Sequence, residues 1–206
     1  PVILFTSSVK GEGKTTVSMN SAVTLSSNKK VIIIGADLRN PQLKRYVARG
    51  VLGLSEYLAD EKTTVDSIIN HSGINSNLDI IDSGTIWPNR TDLLEDARLK
   101  LLIEDLVIRY DYVRTDSAPM MMVSDSFHIL ALADVLVYVT RAKYTEKQLL
   151  NYVKMVAADE NVSKIGLVLN DVEKDELRYG YGGKYGYGYY NEDEKSWWQH
   201  LLKKRR

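Results

Sequence analysis

Cysteine is absent from the 206 residues, which excludes disulfide bonds and thiolate metal sites. Lys and Arg total 27, as do Asp and Glu, so no excess charge favours binding to nucleic acid or to an anionic membrane. No apolar run approaches the roughly 20 residues of a membrane-spanning helix. A soluble globular protein is therefore predicted. Because the sequence starts with Pro1 rather than Met, we expect a piece of a longer protein that has room for membrane segments upstream.

Apolar runs rich in Val, Ile and Leu alternate with stretches of helical pattern. The runs are nearly continuous, as expected of parallel strands buried on both faces. They lie at residues 2–5, 31–34, 78–81, 110–113, 135–139 and 165–169. Helices are predicted at 14–27, 92–108, 123–132 and 145–159, with shorter ones at 41–47, 54–60 and 64–70. This alternation predicts an α/β fold with a doubly wound, mostly parallel sheet flanked by helices.

The alternating pattern stops after about Asp171. We expect residues 1–172 to form one domain and residues 173–206 to form a flexible tail. Within that tail, residues 179–190 hold six Tyr and five Gly, a composition that cannot build a packed core. Residues 194–205 have the apolar spacing of a short amphipathic terminal helix.

The first predicted strand is followed by SSVKGEGKTT (residues 7–16) and then by a helix, which is the order of a phosphate-binding P-loop. Gly11 and Gly13 allow backbone N–H groups to point at phosphate oxygens, and the helix N-terminus adds its positive dipole end. We expect Lys14 to reach the β- and γ-phosphates of ATP or ADP, and the Thr15 hydroxyl to bind Mg²⁺. Ser8 replaces the usual first Gly of the loop, and Lys10 is either a second phosphate contact or an exposed charge. The residues predicted to surround the nucleotide are Ser8, Val9, Lys10, Gly11, Glu12, Gly13, Lys14, Thr15 and Thr16.

Two acidic residues follow other predicted strands, Asp37 after VIIIGA and Asp116 after YDYVRT. A magnesium–nucleotide site needs carboxylates at such strand ends, so Thr15, Asp37 and Asp116 form the predicted metal site. Helix capping is the alternative for either aspartate. Asn170 closes the run IGLVLN, and it is interpreted equally well as a contact to the purine ring of the nucleotide or as a turn residue.

The segments SSVKGEGKTT, VIIIGADLRNPQL, GLSEYLADE, SGTIWPNRTDLLE and YDYVRTDSAP, followed by the Tyr-rich end, resemble in order and spacing the bacterial tyrosine kinases. These are the cytoplasmic kinase domains of polysaccharide co-polymerase systems. The resemblance implies a P-loop NTPase type of fold that transfers the γ-phosphoryl group of ATP to the tail of a neighbouring subunit, with Lys14, Asp37 and Asp116 as catalytic residues. The implied acceptors are Tyr179, Tyr181, Tyr185, Tyr187, Tyr189 and Tyr190.

The resemblance also implies partners and a location. Family members form homo-oligomeric rings, act with an upstream or separate membrane activator protein, and regulate the synthesis and export of capsular polysaccharide or exopolysaccharide. The implied location is the cytoplasmic face of the plasma membrane, and no nucleic acid is expected as a partner. A glycine-spaced tail suits this function because a mobile tether raises the local concentration of acceptor. The alternative is a low-complexity disordered end.

The second acidic motif and the fourth strand depart from the family pattern. Gly35 stands where the family has the first Asp of Asp-x-Asp-x-Arg, its proposed base, and general-base help is worth roughly 10²–10⁴ in rate. Arg114 and Thr115 precede Asp116 where the family has apolar residues, and Ser117 and Ala118 follow it where the family commonly has Thr-Pro. We expect the charge of Arg114 to reach a carboxylate, a phosphate or solvent. The alternatives to an autokinase are a nucleotide-switched regulatory protein, favoured by Gly35, and a partition-type ATPase with Lys10 acting across a dimer.

Overall fold

The apolar runs of the sequence form a central sheet. The computed structural model describes residues 1–47, 52–85, 93–95, 97–122, 125–160 and 162–173. The strands within these residues are β1 (Val2–Ser7), β2 (Val31–Ala36), β3 (Asn70–His71), β4 (Leu78–Ile81), β5 (Tyr112–Ser117), β6 (Val135–Arg141) and β7 (Ile165–Asn170). Their spatial order is β3-β4-β2-β5-β1-β6-β7, and every neighbouring pair is parallel except β3 with β4. The predicted α/β class and mostly parallel sheet are confirmed.

Within the described residues, helices occur in each of the segments predicted to be helical. They are α1 (Lys14–Leu25), α2 (Leu54–Ala59), α3 (Val65–Ile68), α4 (Ala97–Arg109), α5 (Asp125–Leu130) and α6 (Leu149–Ala157), with a 3₁₀ helix at Leu43–Tyr46 in place of the helix predicted over 41–47. The helix predicted over 64–70 is a single turn, because Asn70 and His71 instead form β3 along the edge of β4. A strand of two residues is too short to leave a recognisable alternation in the sequence.

The strand predicted over residues 110–113 is β5, which begins at Tyr112 and continues to Ser117. The prediction ended too early because polar residues interrupt the apolar run at Arg114, Thr115 and Asp116. All three are nevertheless buried within the sheet. Asp116 therefore lies within β5, a central strand, rather than in the loop that follows it.

Both faces of β2 are covered. Ile32 and Ile34 belong to one buried cluster, while Ile33 packs in a second cluster with Met19 and Ala22 of α1. This burial explains why the run VIII is continuous rather than alternating. Burying each such side chain contributes about 1.5–3 kcal/mol.

The sheet is less well covered at β7, its last strand. Within the described residues β7 pairs only with β6. Its alternate residues Ile165, Leu167 and Leu169 are 36%, 59% and 57% exposed. They share the face on which Leu136 and Tyr138 of β6 are buried, so the apolar layer thins out toward this edge.

The acceptor tyrosines at 179–190 and the helix over 194–205 lie outside the described residues, and the domain boundary at residue 172 stays a prediction. Among the helices in the described ranges, none combines the length and the apolar character needed to cross a bilayer.

Among the described residues Arg114 pairs with no carboxylate, and a contact with phosphate stays a prediction. It lies between Ile3 of β1 and Ile33 of β2 and is only 3% exposed. Its guanidinium carbon is 4.3 Å from the centre of the Phe5 ring, and its Nε and Nη1 atoms have no hydrogen-bond partner. Burial lowers the pKa of Arg114 to about 10. A cation–π contact with Phe5 compensates only part of the cost of burying this charge.

We therefore predict that Arg114→Met stabilises the protein. The methionine side chain keeps most of the apolar stem and removes the buried charge, so the free energy of unfolding should rise by about 1–3 kcal/mol. Urea unfolding would measure the change. Arg114→Lys is the control, because it keeps a buried charge and should give no increase. A lower urea midpoint for Arg114→Met would contradict this account of the guanidinium.

Gly35 has a packing reason to be glycine. It lies directly beside Asp116 in the register of β2 with β5. A Cβ atom at position 35 would lie 2.7 Å from Ser83 Oγ and 3.0 Å from the backbone nitrogen of Ser83. Ser83, the second residue after β4, thus takes the space that the family's aspartate would need.

We predict that Gly35→Ala destabilises the protein by about 1–3 kcal/mol, because the added methyl group overpacks the space beside Ser83. Ser83→Gly in the same chain should recover part of this loss, since it removes the nearer of the two contacts. A double-mutant cycle measured by urea unfolding tests the coupling. Strict additivity of the two changes would show that Ser83 does not restrict position 35.

Candidate nucleotide site

The phosphate loop lies where the sequence predicts it. β1 ends at Ser7, and α1 begins at Lys14 directly after Gly13. Gly11 and Gly13 have φ angles of 91° and 89°, in the left-handed region that glycine adopts without strain. A Cβ atom at Gly13 would lie 2.0 Å from Asn170 Nδ2, so a side chain is also excluded there by contact. The loop backbone therefore requires both glycines.

Lys14 and Thr15 meet the carboxylate of Asp116. Lys14 Nζ is 3.1 Å from Asp116 Oδ1, and the Thr15 hydroxyl donates a 2.6 Å hydrogen bond to Asp116 Oδ2. Asp116 is 2% exposed, and burial raises its pKa while the Lys14 ammonium acts in the opposite direction. A strong ion pair in so buried a position keeps the lysine directed toward the site rather than toward solvent.

Asp37 uses one carboxylate oxygen to hold a turn and directs the other toward the charged cluster of the site. Its Oδ1 atom accepts a 2.9 Å hydrogen bond from the Asn40 N–H and so fixes the turn after β2. Its Oδ2 atom lies 3.8 Å from Lys14 Nζ. One oxygen thus has a structural role, while the other faces the cluster of Lys14 and Asp116. Carboxylate and hydroxyl oxygens of this kind are the ligands that Mg²⁺ prefers, so Thr15, Asp37 and Asp116 suit a magnesium ion chemically.

Glu12 points into the protein beneath the loop and is 1% exposed. Its Oε2 atom accepts a 2.8 Å hydrogen bond from the Val9 N–H, and its Oε1 atom accepts one from the Thr145 hydroxyl. The Thr145 oxygen in turn accepts the backbone N–H of Arg141 at 2.8 Å. A carboxylate inside the loop therefore connects the loop to the end of β6, in addition to the predicted contact with nucleotide.

The segment after β6 also holds the loop from outside. Arg141 Nη1 donates to the carbonyl of Gly11 at 3.1 Å, and the Tyr144 hydroxyl donates to the carbonyl of Lys10 at 2.8 Å. Below the loop, the hydroxyls of Ser8 and Tyr138 are 2.9 Å apart. Ser8 thus takes part in a buried hydrogen bond that glycine could not form.

The supporting residues outside the loop, Tyr138, Arg141, Tyr144 and Thr145, were not predicted, because they belong to no motif. The signal that points to them is the order of the strands in the sheet. The carboxyl ends of parallel strands lie along one edge, so the residues that end β6 must lie beside the loop that ends β1.

Asn170 ends β7 and donates from Nδ2 to the carbonyl of Glu12 at 3.1 Å. It is more than a turn residue, since its amide supports the phosphate loop. Its contact with a purine ring stays a prediction.

The loop borders a cleft of about 720 Å³ that contains most of the predicted site residues. Ser8 and Asp116 lie beneath its floor, and Lys10 is exposed at its rim. Three arginines of the lining add their positive charge to that of Lys10 and Lys14. This charge suits a polyanion such as the phosphate chain of a nucleotide. The lining residues are Ser7, Val9, Lys10, Gly11, Glu12, Gly13, Lys14, Thr15, Thr16, Asp37, Arg39, Asn40, Gln42, Arg45, Ala118, Pro119, Met122, Arg141, Asn170 and Asp171.

We predict that Glu12→Ala loosens the loop. The change leaves the Val9 N–H and the Thr145 hydroxyl without their acceptor, which should cost about 1–3 kcal/mol of unfolding free energy and weaken ADP binding. Calorimetric titration with ADP and thermal unfolding measure the two effects. Thr145→Val should act in the same direction and Thr145→Ser should not, because serine keeps the hydroxyl. Unchanged ADP affinity in Glu12→Ala would mean that the loop does not need this support.

Relatives of the chain point to one family. The AAA domain family model matches residues 2–165. A tyrosine-protein kinase, CpsD of Streptococcus agalactiae, is 31% identical over 188 residues, which cover 90% of this chain and 81% of the relative. A putative tyrosine-protein kinase, EpsB of Ralstonia solanacearum, is 30% identical over 197 residues, but the chain spans only 26% of that protein's length.

Solved structures with a similar fold point to the same family. The kinase domain of the Escherichia coli tyrosine kinase ETK superimposes with a TM-score of 0.77 at 30% identity, covering 92% of this chain and 72% of that one. A putative plasmid partition protein from Borrelia burgdorferi, bound to AMPPNP, gives a TM-score of 0.67 at 23% identity over 86% of this chain and 78% of that one. The second likeness extends to the fold alone, which is of the P-loop NTPase type. The chain belongs to the AAA domain family and to the bacterial tyrosine kinases.

Proposed function

We propose that the chain is an ATP-dependent protein-tyrosine autokinase that phosphorylates tail tyrosines of neighbouring subunits. The observation that carries the proposal is the convergence of Lys14, Thr15, Asp37 and Asp116 at the mouth of a glycine loop. Phosphoryl transfer depends mainly on positioning and on stabilising charge, and this cluster supplies both.

Each residue of the cluster has a distinct task in this proposal. The loop backbone and Lys14 bind the β- and γ-phosphates of ATP. Thr15, Asp37 and Asp116 hold Mg²⁺, which supplies charge neutralisation for the phosphates when it is bound. The phenolic oxygen of the acceptor forms a bond to the γ-phosphorus as the bond to the bridging oxygen breaks. ADP leaves with that electron pair, and the phenolic proton passes to solvent. The acceptors are Tyr179, Tyr181, Tyr185, Tyr187, Tyr189 and Tyr190.

The proposal includes a physiological setting that follows the named relatives. CpsD and EpsB are tyrosine kinases by name, and we infer a similar place for this chain in capsule or exopolysaccharide production. Subunits in a homo-oligomer would supply the tails, and a membrane activator protein would keep the kinase at the cytoplasmic face of the membrane.

A slow reaction is expected because Gly35 supplies no carboxylate beside Asp116. This glycine, with its space filled by Ser83, also favours a second candidate function. In that alternative, nucleotide binding switches an oligomer or a partner contact, and little phosphate is transferred. A partition-type ATPase has weaker support, since the likeness to the partition protein extends to the fold alone.

Mass spectrometry of the chain before and after incubation with magnesium and ATP tests the kinase proposal. We predict that phosphate accumulates on residues 179–190, and that Lys14→Met lowers its rate of appearance by at least roughly 10²-fold. The Lys14 charge acts on the phosphates during transfer, so its loss should stop chemistry without unfolding the chain.

Two controls complete this experiment. Circular dichroism should show that Lys14→Met remains folded, and Lys10→Met tests whether any loop lysine would have the same effect. An unmodified tail in a chain that demonstrably binds ATP would favour the nucleotide switch over the kinase.

A further inference from the structure

The central sheet has two edges, and they differ in how well they are protected. One edge is β3, which is only two residues long and carries His71, an exposed side chain paired with Asp79. The other edge is β7, which pairs only with β6 among the described residues. A very short strand protects an edge against further pairing, as do charged side chains and proline.

The edge at β7 has none of these protections. Its sequence, IGLVLN, contains six residues without a charge or a proline. Ile165, Leu167 and Leu169 form a partly exposed apolar row along it. Gly166 is exposed as well, and no atom lies within 4 Å of the position that its Cβ would occupy. Another strand can therefore approach this edge freely, and its approach would bury apolar surface.

The backbone groups of the apolar row point away from the sheet. The carbonyls of Lys164 and Asn170 accept hydrogen bonds of 2.8 Å and 2.9 Å from N–H groups of β6 and of the residue after it. Backbone groups alternate in direction along a strand, so the N–H and C=O groups of Ile165, Leu167 and Leu169 face the open edge. An extended strand with apolar side chains would satisfy both the backbone and the row.

The strand β7 is such a strand, and a second copy of it fits the first. A two-fold axis perpendicular to the sheet pairs the two copies in antiparallel direction and keeps both apolar rows on one face. With Leu167 opposite Leu167, Ile165 of each copy faces Leu169 of the other. All three pairs are then of the hydrogen-bonded kind, so about six N–H···O bonds form across the edge.

The charges at the ends of β7 favour the same direction. Lys164 precedes the strand, whereas Asp171 and Glu173 follow it. Antiparallel pairing brings the basic end of each copy beside the acidic end of the other. Parallel pairing would align like charges, which is destabilising, and would place the apolar rows of a two-fold dimer on opposite faces.

We propose that β7 is a self-association surface, at which two copies of the chain pair in antiparallel direction about Leu167 and join their sheets. This inference does not depend on phosphoryl transfer. The edge of one strand is smaller than the about 1,600 Å² of a standard interface, so we expect a reversible dimer with a Kd of roughly 10⁻⁵–10⁻³ M. Pairing covers the open edge of both copies, so this contact closes at two.

The chain has no cysteine, which allows a test of the register. On mild oxidation Leu167→Cys should give a disulfide-linked dimer, because the two Cα atoms would lie about 5.5 Å apart. Ile165→Cys and Leu169→Cys should each remain unlinked, because identical positions are then about 13 Å or more apart. A mixture of these two variants should form a linked dimer. Non-reducing gel electrophoresis of the full chain measures the products.

Analytical ultracentrifugation of the full chain, from about 10 μM to about 1 mM, measures the association itself. Leu167→Lys should raise the Kd at least roughly tenfold, because two like charges would meet at the two-fold axis. Ile108→Lys is the matched control, since Ile108 lies on α4 and is 87% exposed. It should leave the Kd unchanged, and circular dichroism should show that both variants are folded.

Several outcomes would overturn the proposal. They are a chain that stays monomeric over the whole range, a dimer that persists in Leu167→Lys, and cross-linking of Ile108→Cys as fast as that of Leu167→Cys. Preferential cross-linking of Ile165→Cys alone would contradict the register about Leu167. A monomer whose β7 amides are nevertheless protected from hydrogen exchange would assign the edge to a different occupant.

Discussion

The placement of β1 between β5 and β6, with all three strands parallel, is the constraint on which the site depends. The register sets Phe5 of β1 beside Asp116, and it sets Ser7 beside Val139 of β6. The loop that leaves β1 must therefore emerge between the acidic strand on one side and the Arg141–Thr145 segment on the other. Ion pairing on the first side and hydrogen bonding on the second then fix the loop without a ligand.

Much of this arrangement could be predicted because it depends on local pattern. A glycine loop between an apolar strand and a helix has few alternatives, and aspartates after parallel strands must share an edge with it. The contacts that support the loop could not be predicted, since nothing near Tyr144 or Thr145 in the sequence marks them. They follow from the position of β6 next to β1, and strand order is a property of the whole fold.

Register explains two of the departures from the family pattern in a similar way. Gly35 could be identified as a missing carboxylate from sequence, but only the pairing of β2 with β4 shows Ser83 in its place. Arg114 was expected to reach a carboxylate, a phosphate or solvent. It contacts Phe5, which lies two residues beyond Ile3, the direct neighbour of Arg114 in the register of β1 with β5. Relative to the family pattern, one change removes a negative charge and the other adds a positive one. Both make the face below the loop more electropositive, which favours phosphate binding over proton abstraction.

The exposed apolar row on β7 has a consequence for the phosphate loop. An edge strand with half-exposed side chains has little hydrophobic anchorage, so local opening of the native state should begin there, at a free energy below that of global unfolding. Asn170 ends this strand and holds the carbonyl of Glu12. Each opening of β7 would release one support of the loop, which couples amide hydrogen exchange at the edge of the sheet to that at its centre.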